Sequence, residues 1–109
     1  MYKSICFIGG AVAGLALLAP ALAADPGRAM FLTDMRGCLE CHAIGSKSAG
    51  PSFSAIAARY RYQTGARDML VDKVRFGGTK HWGERFNMWP QVVVTEEEAS
   101  VMVEWILQQ

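Results

Sequence analysis

Cys38-Leu39-Glu40-Cys41-His42 is the stretch on which the reading of this chain turns. Two cysteines two residues apart, with histidine directly after the second, form the attachment pattern of a c-type haem. The spacing has a chemical reason. Each thiol can add to one of the two vinyl groups of the porphyrin and form a thioether. The following histidine then lies beneath the iron and can offer a ring nitrogen as its proximal ligand. The motif predicts one covalent haem c, held by Cys38 and Cys41, with His42 on the iron.

Two other chemistries use the same residue types. A structural zinc site takes four ligands, usually from two separated pairs. Outside the motif the chain offers only His81 and Cys6. A thiol–disulfide pair belongs in a βαβ setting, and no strand pattern flanks this one.

The N-terminus supports the haem reading, because it carries the marks of export. Lys3 is the only charge before Asp25, and a mostly apolar run extends from Ile5 to Leu22. It ends in Ala21-Leu22-Ala23, a small-residue site that predicts cleavage before Ala24. Residues 1–23 read as a secretory signal and 24–109 as one domain, placed in the periplasm. An uncleaved anchor is the competing reading. Spanning a bilayer takes about 20 apolar residues; this run is short, rich in Gly and Ala, and broken by Pro20. No stable membrane insertion is expected after cleavage. Cys6 leaves with the signal, so every remaining cysteine belongs to the motif.

Of the 11 Lys and Arg only Lys3 is lost with the signal, leaving 10 against 10 Asp and Glu. A balanced charge argues against a nucleic-acid partner, which calls for a basic excess. The charges are segregated, however. Arg59, Arg61, Arg67, Lys73, Arg75, Lys80 and Arg85 crowd one stretch, while Glu96, Glu97, Glu98 and Glu104 have no basic residue near them in sequence. The basic stretch reads either as a field that orients an acidic partner or as solvated helix faces. A domain this small buries a modest core, and a covalent cofactor serves as its staple.

The segments are predominantly helical. Asp25-Pro26 is an N-cap followed by proline at the first position, opening a helix that runs to about Met35 and stops at Gly37. Ala43 to Gly50 reads as a loop. Ser52 or Ser54 caps a helix from about Phe53 to Tyr60, with Phe53, Ile56 and Ala57 on one face. A third helix runs from about Ala66 to Phe76 and ends at Gly77-Gly78. Residues 77–94 do not read as helix, though Val92-Val93-Val94 suggests a short extended piece. Their aromatic and apolar side chains need a surface to cover, and a haem face is one. Thr95 and Glu98 form a capping box. The last helix follows, with Ala99, Met102, Val103 and Ile106 buried and Trp105 near the edge of the stripe. The run of glutamates in its first turn suits the helix dipole.

The sixth iron position decides the chemistry. Methionine there favours the reduced iron and makes an electron carrier; an open position permits gas binding or peroxide chemistry. Met30, Met69 and Met102 fall on helix faces as core filler. Met35 lies too close to Cys38 to reach the far side of the ring. Met88 stands in the glycine-punctuated loop and is the distal ligand expected here. His81 is the rival, read otherwise as an exposed loop histidine.

With these residues in hand, the chain resembles the small bacterial class I cytochromes c, single-haem periplasmic electron carriers. The resemblance is carried by Gly37 through Ile44, Gly50-Pro51, Trp82-Gly83, Met88 and the final Trp105-Ile106-Leu107. It implies an all-α fold of four to five short helices wrapped around the haem. It implies that the Pro51 carbonyl accepts the second ring N–H of His42. It implies that the Trp82 indole N–H bonds a haem propionate, with Lys73 or Arg75 as charge partner. The family commonly flanks its ligand methionine with prolines; here Asn87 precedes Met88 and Trp89 follows it, with Pro90 kept.

The function expected is that of a monomeric one-electron carrier between redox protein partners, a donor and a terminal oxidase or reductase, and not of an enzyme. Ala43, Ile44 and Trp89 are candidates for an apolar docking patch near the haem edge. Two alternatives stand beside it: an electron-accepting subunit of a periplasmic dehydrogenase, and a five-coordinate haem sensor or peroxidase.

Overall fold

The computed structural model describes residues 9–11, 13–16, 25–46, 48–83 and 87–109. The cleavage site, Cys6 and most of the expected signal lie outside the described residues, as do residues 84–86 of the loop. Among the described residues no helix is long and apolar enough to cross a membrane.

Four α-helices follow in order: α1 (Pro26–Met35), α2 (Phe53–Tyr60), α3 (Ala66–Phe76) and α4 (Glu96–Ile106). A single 3-10 turn, Cys38–Glu40, separates α1 from the loop before α2. Each start is chemically specified. The Asp25 carboxylate accepts from the backbone N–H of Gly27 at 3.0 Å and of Arg28 at 3.3 Å, with Pro26 inside the first turn. Ser52, rather than Ser54, caps α2, accepting from Ala55 N–H at 3.0 Å. The Ser54 hydroxyl instead donates to the Ile44 carbonyl at 2.7 Å, tying the haem-motif loop to α2. Thr95 and Glu98 complete the capping box reciprocally, at 3.1 and 3.3 Å. Such a cap contributes about 1 kcal/mol.

α4 is the central element, packing on α1, α2 and α3. Its apolar stripe of Ala99, Met102, Val103 and Ile106 is buried with Ala29 and Leu32 of α1, Phe53, Ile56 and Tyr60 of α2, and Leu70 and Val71 of α3. Trp105 is not at the edge: it is buried, with its ring edge-on to Phe53 at 5.5 Å. Helical spacing put it beside the stripe, but α2 crosses α4 there and widens the covered face. The glutamates that had no basic neighbour in sequence find one in space. Glu97 meets Arg28 at 2.9 Å, Glu98 meets Arg36 at 2.7 Å, Glu96 meets Arg75 at 3.6 Å, and Glu104 meets Arg67 at 2.8 Å. The acidic face of α4 is thus pinned to α1 and α3. Surface pairs of this kind add little singly, but the four link three helices.

Two local expectations are corrected. Val92-Val93-Val94 is a turn and not an extended piece. The Val94 N–H bonds the Gln91 carbonyl at 3.0 Å, leaving Val92 and Val93 exposed and only Val94 buried. Met30 is exposed and fills no core. Ala29, Leu32 and Thr33 form the inward side of α1, so Met30 faces outward.

Candidate haem-binding site

The CxxCH stretch leaves α1 through Gly37, whose φ of 72° lies in the left-handed region that glycine tolerates. The chain then makes one tight turn. The N–H groups of Cys41 and His42 both donate to the Cys38 carbonyl, at 3.2 and 2.9 Å. That turn brings Cys38, Cys41 and His42 onto one short segment of backbone. Cys38 is half-buried and Cys41 exposed, and burial pushes the Cys38 thiol above its usual pKa.

His42 is fixed from two directions. Its Nδ1 lies 2.7 Å from the Pro51 carbonyl oxygen. A carbonyl only accepts, so Nδ1 carries the proton and Nε2 keeps its lone pair for a metal. The imidazole also stacks on the Phe53 ring, with centroids 5.6 Å apart and planes 17° from parallel. Gly50 completes the cradle. A Cβ there would stand 2.8 Å from His42 Cε1 and 3.1 Å from Nδ1, so only glycine lets the backbone pass beneath the ring. The Gly50 N–H to Cys41 carbonyl bond, 2.7 Å, closes the loop behind it.

Met88 is positioned from another element. It pairs with Gly78 in an isolated antiparallel bridge, Gly78 N–H to Met88 carbonyl at 2.8 Å and Met88 N–H to Gly78 carbonyl at 3.1 Å. The Gly77-Gly78 pair, read from sequence only as a helix stop, is therefore also what holds the methionine loop. The Lys73 ammonium reinforces this bend. It donates to the carbonyls of Gly78 at 2.6 Å and Lys80 at 2.9 Å, and burial lowers its pKa.

Trp82 is half-buried against the core, its ring edge-on to Tyr60 at 6.3 Å and under the Arg59 guanidinium at 4.7 Å. Both cations named for the propionate have protein partners. Lys73 donates to two backbone carbonyls, and Arg75 lies over Phe76 and pairs with Glu96. His81 is not an exposed loop residue. It is half-buried with its ring edge-on to Tyr60 at 6.4 Å, on a backbone φ of 89° that is uncommon outside glycine. Its imidazole is held below the usual range, first by burial and then by Lys80, Lys73 and Arg59.

These residues suit a haem. The motif supplies two thiols on one turn, a histidine with Nε2 unspent and its ring orientation locked, and a thioether on a separate braced loop. Leu39, Ile44 and Trp89 are large apolar side chains left 45%, 47% and 78% exposed, as a cofactor edge or a partner surface requires. Among the described residues no group of three or more His, Cys, Asp or Glu converges as a metal site.

Comparison with known proteins covers the same part of the chain. The family model for cytochrome c matches residues 24–109. Cytochrome c-551 of Azotobacter vinelandii is 40% identical over 83 residues, covering 76% of this chain and 96% of that protein. Cytochrome c-551 of Stutzerimonas stutzeri is 37% identical over 100 residues, covering 92% of this chain and 88% of that protein. The crystal structure of Nitrosomonas europaea cytochrome c552 superposes with a TM-score of 0.67 at 32% identity, covering 72% of this chain and 95% of that one.

Proposed function

This chain belongs to the cytochrome c family, carrying one covalently bound haem c on a helical fold, and from that premise we propose a periplasmic one-electron carrier with histidine–methionine ligation. Small bacterial cytochromes c carry electrons between redox partners. The finer reading assigns Cys38 and Cys41 to the thioethers, His42 to the proximal position and Met88 to the distal one. Pro51 orients His42, and Trp82 donates its indole N–H to a haem propionate. A signal removed before Ala24 delivers the chain to the periplasm, where it acts as a monomer and not as an enzyme.

The observation that carries this reading is the contact between His42 Nδ1 and the Pro51 carbonyl. It specifies the tautomer, directs Nε2 outward, and makes the imidazole a better electron donor. Haem, when bound, supplies an iron that changes by one electron. The protein's part is to keep the coordination the same in both states. His42 is held by Pro51, Phe53 and Gly50, and Met88 is held by the Gly78 bridge. Two ligands on separate, braced segments need little rearrangement when charge changes, which is what a carrier requires. Of Ala43, Ile44 and Trp89, the residues expected to form an apolar docking patch for the donor and acceptor, Ile44 and Trp89 are exposed and Ala43 is half-buried. Steering by the basic stretch draws less support, because Arg67 and Arg75 are spent on carboxylates and Arg61 on the backbone carbonyls of Leu107 and Gln109.

An optical spectrum and redox titration of periplasmically matured protein test the proposal. A far-red thioether-to-iron band in the oxidised state is expected. It should vanish in Met88→Ala and persist in His81→Ala. Rapid carbon monoxide binding to the reduced protein would instead indicate an open sixth position.

A further inference from the structure

α1 carries apolar side chains on two sides. Ala29 and Leu32 are buried in the core, while Met30, Phe31 and Met35 are 52%, 60% and 63% exposed. Phe31 and Met35 stand one turn apart, and Asp34 lies on the same side of the helix. Exposed Leu39 and Glu40 follow in the 3-10 turn. The Glu40 carboxylate bends back toward the end of α1, its oxygens 3.8 and 3.9 Å from where a Cβ on Gly37 would stand. A helix that is apolar all round is normally covered all round. Among the described residues no element covers this side of α1.

The charge on this side has one sign. Arg28 and Arg36, the cations at the two ends of α1, are turned to Glu97 and Glu98 of α4 at 2.9 and 2.7 Å. Asp34 and Glu40 are exposed and, among the described residues, have no lysine or arginine within 4 Å. That sign decides what the surface can meet. A second copy joined about a two-fold axis would bring the same carboxylates together. An anionic bilayer would repel them. A protein face with lysine or arginine around an apolar centre matches both features. The exposed parts of these side chains make a patch on the order of a few hundred Å², below the ~800 Å² per partner of a standard stable interface and in the range of brief redox encounters.

We propose that the outward side of α1, with Leu39 and Glu40, is a docking surface for a basic, apolar face of a redox protein partner. This rests on the carrier reading and adds to it the chemistry of one partner, on a different element from Ile44 and Trp89. A partner seated there lies beside the turn that bears Cys38 and Cys41, which α1 enters through Gly37.

The test is chemical-shift mapping on matured, isotope-labelled holoprotein with two amphipathic peptide probes of equal length, one of lysine and leucine, the other of glutamate and leucine. The lysine peptide should move the resonances of Met30, Phe31, Asp34, Met35, Leu39 and Glu40 more than those of other segments, and its affinity should fall as salt rises. Asp34→Lys should weaken it about tenfold; lysine in the last turn suits the helix dipole, so the fold is kept. Phe31→Gln should weaken it without removing the salt dependence. Electron exchange with the hexaammineruthenium cation should slow in Asp34→Lys, and exchange with ferricyanide should not. The far-red band and thermal midpoint of each variant are the folding controls. The proposal is overturned if the glutamate peptide binds as well, if the shifts gather elsewhere, or if both variants bind the lysine peptide as wild type does. It is overturned in favour of a second copy if α1 resonances move on dilution, and in favour of a membrane if they broaden with phosphatidylglycerol vesicles. Unchanged exchange with the ruthenium complex in Asp34→Lys overturns the redox role of the surface. A far-red band missing from wild type strikes the carrier reading instead and leaves the peptide map standing.

Discussion

Gly77 and Met88 are packed so closely that a single methyl group on the glycine would collide with the methionine carbonyl and stand 2.8 Å from the Pro90 nitrogen. The end of α3 and the Met88 loop are in effect one unit. What places the methionine is backbone, not side chain.

Gly77→Ala should therefore cost more than an ordinary surface change. The position combines a φ of 66° with no free space, and about 1–3 kcal/mol of stability is expected to be lost. The far-red band of the oxidised protein should weaken in parallel. Gly78→Ala is the internal control: its φ is also positive, but nothing lies within 4 Å of the added atom. Denaturant midpoints and oxidised spectra of the two variants should separate crowding from backbone strain.

Gly50→Ala presses on His42, the proposed proximal ligand. Its methyl would meet His42 Cε1 at 2.8 Å, so the ring must tilt and the bond to Pro51 must lengthen. Stability should fall by about 1–3 kcal/mol, and the midpoint potential should shift because the imidazole loses its acceptor. An unchanged potential would mean that the ring can move without consequence for the iron.

Phe53 stands between His42 and Trp105, stacked on one and edge-on to the other. Phe53→Ala removes a fully buried ring and should cost about 3–5 kcal/mol. Phe53→Leu should cost less in stability, yet it still deprives His42 of its flat support. Comparing the two by thermal unfolding and by haem spectrum distinguishes core filling from ligand support.

Glu98 links the capping box to Arg36, and the Arg36 guanidinium holds its carboxyl below the usual carboxylate range. A carboxylate whose pKa is lower folded than unfolded adds stability above its ordinary pKa. That stability drains away as pH falls toward the depressed value. Wild type should thus lose stability between neutral pH and about pH 3, and Glu98→Gln should lose less over the same window. Denaturant midpoints at the two pH values check the difference.

Much of this architecture was legible from local chemistry. Asp25-Pro26, Thr95 with Glu98, and the Gly77-Gly78 stop each specify a helix end through nearest neighbours, and those boundaries hold. The all-α fold and the covalent haem followed from the motif and from the pattern around it. What was hidden depends on residues distant in sequence. The glutamates of α4 looked unpartnered because their arginines lie on α1 and α3. Trp105 looked peripheral because its cover comes from α2. The bond between Pro51 and His42 was implied by resemblance alone, since spacing says nothing of where a carbonyl points. The stacking of Phe53 on His42 and of Arg59 on Trp82 left no pattern in the sequence, because neither contact has a periodicity.

The dominance of α4 in the packing separates two events in the life of this molecule. Cys38, Cys41 and His42, the residues proposed to hold the cofactor, all precede α2 in the chain, whereas α4, which packs on the other three helices, follows α3. On the proposed reading, attachment at Cys38 and Cys41 asks nothing of α4, and the tether would hold the pigment to its own polypeptide before that helix packs.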